Sequence, residues 1–253
     1  MSLMKRISYI TLLIFLTITG FAQEYKRTIN IKYTTDHIKL DGILDESVWE
    51  TAETYTDFWQ YFPKDSIRAV HKTSIRLLYN DHTLYAAIRA EKAPGDIVVS
   101  SLRRDFRGTV SDNISLVFDT FNDGTNAFLF SATPNGVQRE ALVSGGSALN
   151  TNWDVKWQVE SKMYEDHFIL ELAIPMNSMK FRKGDKKWSF QTYRWNLQSS
   201  EQSALARVPQ NQLFSSLAFS NDLVFENPLG KSRTPISIIP YVNGLVQKDF
   251  VLG

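Results

Sequence analysis

The sequence predicts an all-β protein, an antiparallel β-sandwich of about ten strands with one or two short helices. Three observations carry this. Apolar and polar residues alternate through much of the chain, as in Val155, Trp157 and Val159 against Asp154, Lys156 and Gln158, a pattern that requires a sheet with one face in a core and the other in water. Turn-forming Gly, Asn and Asp recur between these runs, and stretches of helical period are scarce. No cysteine occurs in 253 residues, so neither a disulfide framework nor a thiolate metal site is available. Stability must then come from apolar burial, for which a chain of this length suffices as one large β-domain.

The first 22 residues carry Lys5 and Arg6, an apolar run from Ile10 to Ile18, and a small-residue ending at Gly20-Phe21-Ala22. This is the pattern of a secretory signal peptide, too short for a spanning helix. Its removal takes the formal charge from +1 to −1, because the segment holds two basic and no acidic residues. A chain this balanced, with no basic run longer than Arg103-Arg104, gains little from phosphate neutralisation, and nucleic acid is not an expected partner. The predicted sandwich occupies residues 23–232.

Thr28 to Tyr33 alternates as a strand, and Ile38-Lys39-Leu40 leads into an Asp41-Gly42 turn. Asp45 is expected as the N-cap of a short helix that places Val48, Trp49 and Ala52 on one face. An aromatic stretch, Tyr55, Phe58, Trp59, Tyr61 and Phe62, closes at Pro63. Residues 73–79 and 83–90 read as a hairpin about Asn80-Asp81-His82. A further strand pair follows at 113–119, with Ile114, Leu116 and Phe118 on one face, and at 127–132. Ser144-Gly145-Gly146-Ser147 is a loop.

Residues 152–160, 168–175 and 188–195 are expected to form one β-meander, with Gly184-Asp185 turning its last two strands. Residues 199–230 are polar and poorly periodic apart from 213–219, and read as a loop-rich excursion. The chain turns apolar again from Thr234, so 233–253 reads as the start of a further strand. No internal repeat and no interior run of 18 apolar residues occurs.

Several motifs resemble a known family. Ile-Lys-Leu-Asp-Gly-Ile-Leu-Asp-Glu-Ser-Val-Trp at 38–49, Asp-Asn-Ile-Ser-Leu-Val-Phe-Asp-Thr at 112–120, and Trp153-Asp154 with Trp157 followed by Glu-Leu-Ala-Ile-Pro at 171–175 are similar to the family 9 carbohydrate-binding-module-like domain. The resemblance implies a jelly-roll, DOMON-like sandwich that binds a glycan or oligosaccharide and carries out no catalysis. Pro134-Asn135-Gly136-Val137-Gln138, and Arg194 with Glu201, resemble a Bacteroidota outer-membrane family of unassigned function in which this module precedes a C-terminal β-barrel. That narrower resemblance implies export to the periplasm or outer membrane of a Gram-negative bacterium, carbohydrate catabolism as the context, and a barrel as a partner. It also implies that the segment 238–241 enters such a barrel. Two positions depart from the family pattern: Asp166-His167 stands where Gly-Trp is usual, and Lys180 where an Arg is usual.

Sugar binding needs an apolar ring face for the C–H side of a pyranose and planar polar groups for its hydroxyls. Trp153, in a polar loop edge beside Asn150, Thr151 and Asn152, and Trp157 in the alternating run are the aromatic candidates. By its alternation Trp157 belongs in the core, as do Trp49 and Trp188. Arg104, Asp105 and Asp112 supply the densest polar stretch before a strand, and Arg194 is expected to pair with Glu201. Asp119, Asn122 and Asp123 gather oxygens in a hairpin, a pattern that suits calcium. Their spacing fails the EF-hand pattern, so an ordinary turn is the competing reading. Met176 and Met179 are the residues that a haem-binding relative of this sandwich would use, against their ordinary use as core filler. Glu140, Glu160 and Glu171 are not paired by any motif of a glycosidase. His37, His71, His82 and His167 form no His-Glu-x-x-His arrangement, and no Gly-x-Ser-x-Gly elbow occurs. A non-catalytic protein without a required cofactor is the expectation, with a structural or partner-docking sandwich as the alternative to a sugar binder.

Overall fold

The computed structural model describes residues 26–230. The signal segment and the expected strand at 233–253 lie outside the described residues. The fold is all-β. Its elements in chain order are β1 (Thr28–Tyr33), α1 (Val48–Thr51), β2 (Trp59–Phe62), β3 (Thr73–Tyr79), β4 (Thr83–Glu91), β5 (Asn113–Asp119), β6 (Ala127–Ala132), β7 (Gln138–Ser144), β8 (Ala148–Asn150), β9 (Gln158–Met163), β10 (His167–Pro175), β11 (Lys187–Asn196), β12 (Glu201–Ala204) and β13 (Asn221–Phe225).

These strands form one curled sheet in the order β8-β7-β6-β5-β11-β13-β1-β3-β4-β10-β9, with β12 and β2 continuing from β11. The curl turns at β1, whose residues 28–31 pair with β13 and whose last two residues pair with β3. Both of these pairings are parallel; every other named pairing is antiparallel. The sheet thereby folds over itself into two layers. Alternation sends Ile75, Leu77, Ile88, Leu170 and Leu172 from one layer, and Leu116, Phe118, Phe130 and Phe190 from the other, into a shared core.

Each layer is also covered outside. Ile38, Val48, Trp49 and Ala52 pack on Leu78 and Ala87 of β3 and β4. Val208, Phe214 and Leu217 pack on Val117, Leu129, Ala141 and Tyr193 of the opposite layer. The 199–230 stretch is therefore a cover that contains β12 and β13, not only loop. Its strands are short and carry buried polar residues, Glu201, Ser203 and Asn221, which erase the alternation that marks a strand in a sequence.

Two expectations are corrected. The three runs from 152 to 195 do not form a meander: β9 pairs with β10, but β11 lies in the other layer between β5 and β13. Alternation reports which face of a strand is buried and not which strand lies beside it. Asp45 is not the helix N-cap; Ser47 holds that position without a side-chain capping bond. Nearby, Glu46 accepts a hydrogen bond from the Lys39 amide at 2.9 Å.

The Asp41-Gly42 turn is fixed to the outside of β10 by Glu171. That fully buried carboxylate accepts the Asp41 and Gly42 amides at 3.0 and 2.8 Å, while burial pushes its carboxyl above the usual range. Gly42 has φ +74°, and a Cβ there would stand 2.8 Å from the Lys162 amide nitrogen. Gly42→Ala is expected to cost at least about 1–2 kcal/mol for the left-handed backbone alone, with more lost as the turn lifts from β9. A melting temperature equal to that of the wild type would show that this turn does not anchor the 38–52 cover.

Candidate functional site

The open side of the sandwich lies between its two edge strands, β8 and β9. Residues 151–157 cross from one to the other, so their alternation is read across a gap between layers. Trp153, Val155 and Trp157 point the same way and pack on the core. Trp157 is 5% exposed, with its ring edge-on to Phe130 at 5.6 Å. Trp153 is half-buried, against Phe128 at 5.3 Å and Phe130 at 5.7 Å, and its remaining surface borders the exposed Asn150, Thr151 and Asn152.

A buried carboxylate organises this gap. Glu140, on the inward face of β7 and fully buried, accepts the Trp157 Nε1–H at 3.0 Å and the Arg104 Nε–H at 3.1 Å, together with an Arg104 Nη2–H. Arg104 also donates to Gln138 Oε1 at 3.0 Å and to the Val155 carbonyl at 2.6 Å. Its guanidinium stands 3.3 Å from the exposed Asp154. Gln138 closes the ring of contacts by donating to the Trp157 carbonyl at 2.9 Å. Asp105 takes a left-handed backbone, φ 61°, and donates its amide to the Gln138 carbonyl at 2.9 Å, which leaves its side chain exposed.

The result is a ledge. One aromatic, Trp153, is partly open to solvent, the Arg104 side chain, 38% exposed, holds the next two residues through Asp154 and the Val155 carbonyl, and carboxylates and amides form the rim. Trp157 presents no ring face to solvent; it holds Glu140 instead. Glu140 and Gln138 were not legible as members of this site. The Gln-Arg-Glu opening of β7 reads as polar, and the burial of Glu140 depends on an arginine 36 residues away.

Asp112, Arg194 and Glu201 form a second, separate group. They occupy neighbouring inward positions on β12, on β11 and at the start of β5, because Asn196 pairs with Glu201 and Asn113 with Trp195. Arg194 is 3% exposed. It reaches across the sandwich to donate to Thr73 Oγ1 at 3.1 Å, to the His71 carbonyl at 3.5 Å and to the Glu91 carbonyl, tying β11 to β3 and β4. The expected direct Arg194–Glu201 ion pair is not formed. Glu201 takes the Gln60 amide at 2.7 Å and the Val70 amide at 2.9 Å and acts on Arg194 through space. Burial lowers the Arg194 pKa to about 10, opposed by Asp112, Glu201 and Glu91, so it stays charged at neutral pH. Asp112 accepts the Val98 amide at 2.7 Å and the Leu197 amide at 2.5 Å, and burial pushes its carboxyl up. This group is an internal tie between layers.

The oxygens of the 119–126 hairpin are spent on the turn itself. Asp119 accepts the Asp123 and Gly124 amides at 3.2 and 2.8 Å, Asp123 accepts those of Thr125 and Asn126 at 2.7 and 2.9 Å, and Asn122 accepts the Ser189 hydroxyl. Among the described residues no three His, Cys, Asp or Glu side chains are grouped to hold a metal ion. Met176 and Met179 are 5% and 0% exposed, inside the main core. Glu160 and Glu171 are cross-strand neighbours on one face of a sheet, with Glu171 capped by the Asp41-Gly42 turn, and do not face each other across a cleft.

No family model and no curated protein sequence matches the chain. Solved structures do match in fold. A candidate carbohydrate-binding protein from Bacteroides uniformis superposes with a TM-score of 0.66 at 12% identity, covering 80% of this chain and all of that one. A family 9 carbohydrate-binding module from Caldicellulosiruptor kristjanssonii in complex with cellotriose superposes with a TM-score of 0.57 at 11% identity, covering 86% of this chain and all of that module. The same organism's family 9 module in complex with glucose gives 0.58 at 12% identity, over 85% of this chain and all of that module. At such identities the likeness establishes the fold, a carbohydrate-binding-module type of β-sandwich.

Proposed function

We propose that this chain is a non-catalytic carbohydrate-binding module. The observation that carries the reading is the ledge, where a partly exposed Trp153 stands within the amide and carboxylate rim of residues 150–154 and the Arg104 guanidinium holds the adjoining Asp154 and Val155. An aromatic face with planar hydrogen-bonding groups at its edge is the chemistry that a pyranose requires. The fold shared with sugar-binding modules supports it, although a sandwich by itself fixes no function. Arg104 is already neutralised by Glu140, so the ledge holds hydroxyls through directional bonds and not through net charge.

The test is calorimetry of the protein against plant, algal and host oligosaccharides. Trp153→Ala is expected to remove most of the binding heat, at least tenfold in Kd, while lowering stability less than a change at Trp157 does. Equal binding by the variant, or no heat from any oligosaccharide in the wild type, would defeat the assignment.

We further infer that the protein is exported and works in the cell envelope as the periplasmic part of an outer-membrane barrel protein. The charged, apolar and small-residue pattern of positions 5–22 supports export, and the resemblance carried by residues 134–138 supports the barrel context. N-terminal sequencing of the secreted form should begin near Gln23; a chain retaining Met1 would contradict export. A second reading, docking to an envelope partner, is favoured by the edge strand β2. There Phe62 is 46% exposed and Val70, just past the segment bridged to β2, is 64% exposed, and among the described residues the side of β2 away from β12 carries the single bridge from Trp59 to Arg68.

A further inference from the structure

We propose a second sugar site, distinct from the ledge: a cleft at the β3–β4 hairpin end of the sandwich that takes a single neutral pyranose, the terminal unit of a glycan or a free monosaccharide. The inference rests on the reading of the chain as a carbohydrate-binding module and adds to it where a sugar sits and of what charge.

The cleft has a volume of about 310 Å³ and shares no lining residue with the ledge. That is the low end of the ~300–1,000 Å³ range of ligand pockets, which suits one sugar ring and excludes an enclosed oligosaccharide. Its apolar part combines aromatic rings with Pro175, Met176, Pro228 and Leu229. Tyr33 at the end of β1 stands edge-on to Tyr79 at 5.4 Å, and Phe181 lines the same space.

Beside Asn80 and Thr83, its polar part includes four further side chains, Asp81, His82, Asn177 and Asn227. These four side chains come from three separate segments and have no hydrogen-bond partner among the described residues. Planar amides and a carboxylate around the partly exposed Tyr33 ring supply the two kinds of group that a pyranose requires, an aromatic ring and paired hydroxyl contacts.

The walls are held in place by hydrogen bonds to the backbone, most of them made by side chains. Asn80 Oδ1 accepts the His82 and Thr83 amides at 2.9 and 2.8 Å, and the His82 carbonyl accepts the Met176 amide at 2.7 Å. The Tyr79 hydroxyl takes the Asn227 amide at 2.8 Å and donates to its carbonyl at 3.2 Å, while Glu226 takes the Tyr33 amide at 2.9 Å. The hairpin, the turn after β10 and the segment after β13 are thus locked together, so little ordering remains to oppose binding.

Charge sets the selectivity. Among the described residues no Lys or Arg lines the cleft, and Asp81 does. A uronic acid or a sulfated sugar would bring a second negative charge with no cation among the described lining residues to meet it. Neutral hexoses are the class that fits.

The experiment is saturation-transfer NMR with calorimetry on the full protein, using methyl glucosides, galactosides and mannosides against galacturonic acid. Binding of at least one neutral glycoside is expected, with galacturonic acid silent. Tyr33→Ala and Asn177→Ala should each weaken that binding tenfold or more. Asn177 is exposed on a three-residue turn, so its variant tests the cleft without a folding defect. Neutral-glycoside binding unchanged in both variants would overturn the cleft, as would stronger binding of galacturonic acid. If no neutral glycoside binds while oligosaccharides bind in a Trp153-dependent way, the cleft falls and the module reading stands. If neither binds, both fall.

Discussion

Arg194→Ala is expected to destabilise the protein by about 3–5 kcal/mol, the range for removing one partner of a buried charge cluster. Two effects add. The guanidinium joins the layers by its bonds to Thr73, His71 and Glu91, and these acceptors would be left in the interior without their donor. Its charge also balances Asp112 and Glu201, which are 5% and 3% exposed and would be stranded as two buried anions. Arg194→Lys should recover only a part of the loss, because a single ammonium cannot reach three acceptors set on two strands. Chemical denaturation reads the difference. A loss under about 1 kcal/mol, typical of an exposed ion pair, would show that the tie between layers is not what the geometry indicates. Set against the ~5–15 kcal/mol of a typical domain, the expected loss removes a large share of the stability.

The second large effect is expected at Trp157. Trp157→Ala should cost about 3–5 kcal/mol for the truncated core aromatic, and about 1–3 kcal/mol more for the Glu140 oxygen that loses its indole donor. Trp157→Phe separates the two terms: it keeps most of the apolar volume against Phe130 but takes the indole donor from Glu140 Oε2 while Arg104 still holds Oε1, so a loss near the second figure alone is expected. Trp153→Ala should cost less than half as much as Trp157→Ala, since its ring is only half-buried, yet it is the change that should abolish oligosaccharide retention. Thermal melts that ranked Trp153 above Trp157 would reverse the assignment of core and ledge.

The two tryptophans show how far the sequence could be read. Alternation assigned Trp157 to the core while Trp153 read as a polar loop edge, and the structure places both, with Val155, on the core side of the 151–157 crossing. What separates them is the neighbour each meets, a buried carboxylate for one and an exposed polar loop for the other. Neither neighbour is signalled by local spacing. Arg194 shows the same limit: its inward face was legible beside Trp188, Phe190 and Thr192, but its partner Thr73 lies 121 residues away in the chain, and the direct pair expected with Glu201 gave way to backbone carbonyls of the opposite layer. The cleft lies further still from sequence reading. Tyr33, His82, Asn177 and Asn227 come from four distant segments and share no motif.

By itself the sequence determined the all-β class, the strands at 28–33, 73–79, 113–119 and 127–132, the Asp41-Gly42 turn and the burial of Trp49, Trp157 and Trp188. Each is set within a few residues, by a period of two or by the backbone freedom of one glycine. Tertiary structure alone decided that β11 joins the layer opposite β10, that β1 runs parallel to both its neighbours, and that Glu140 and Arg194 are buried with their charges met. Strand pairing and the burial of a charge are settled by free energies between distant segments, to which local alternation is blind.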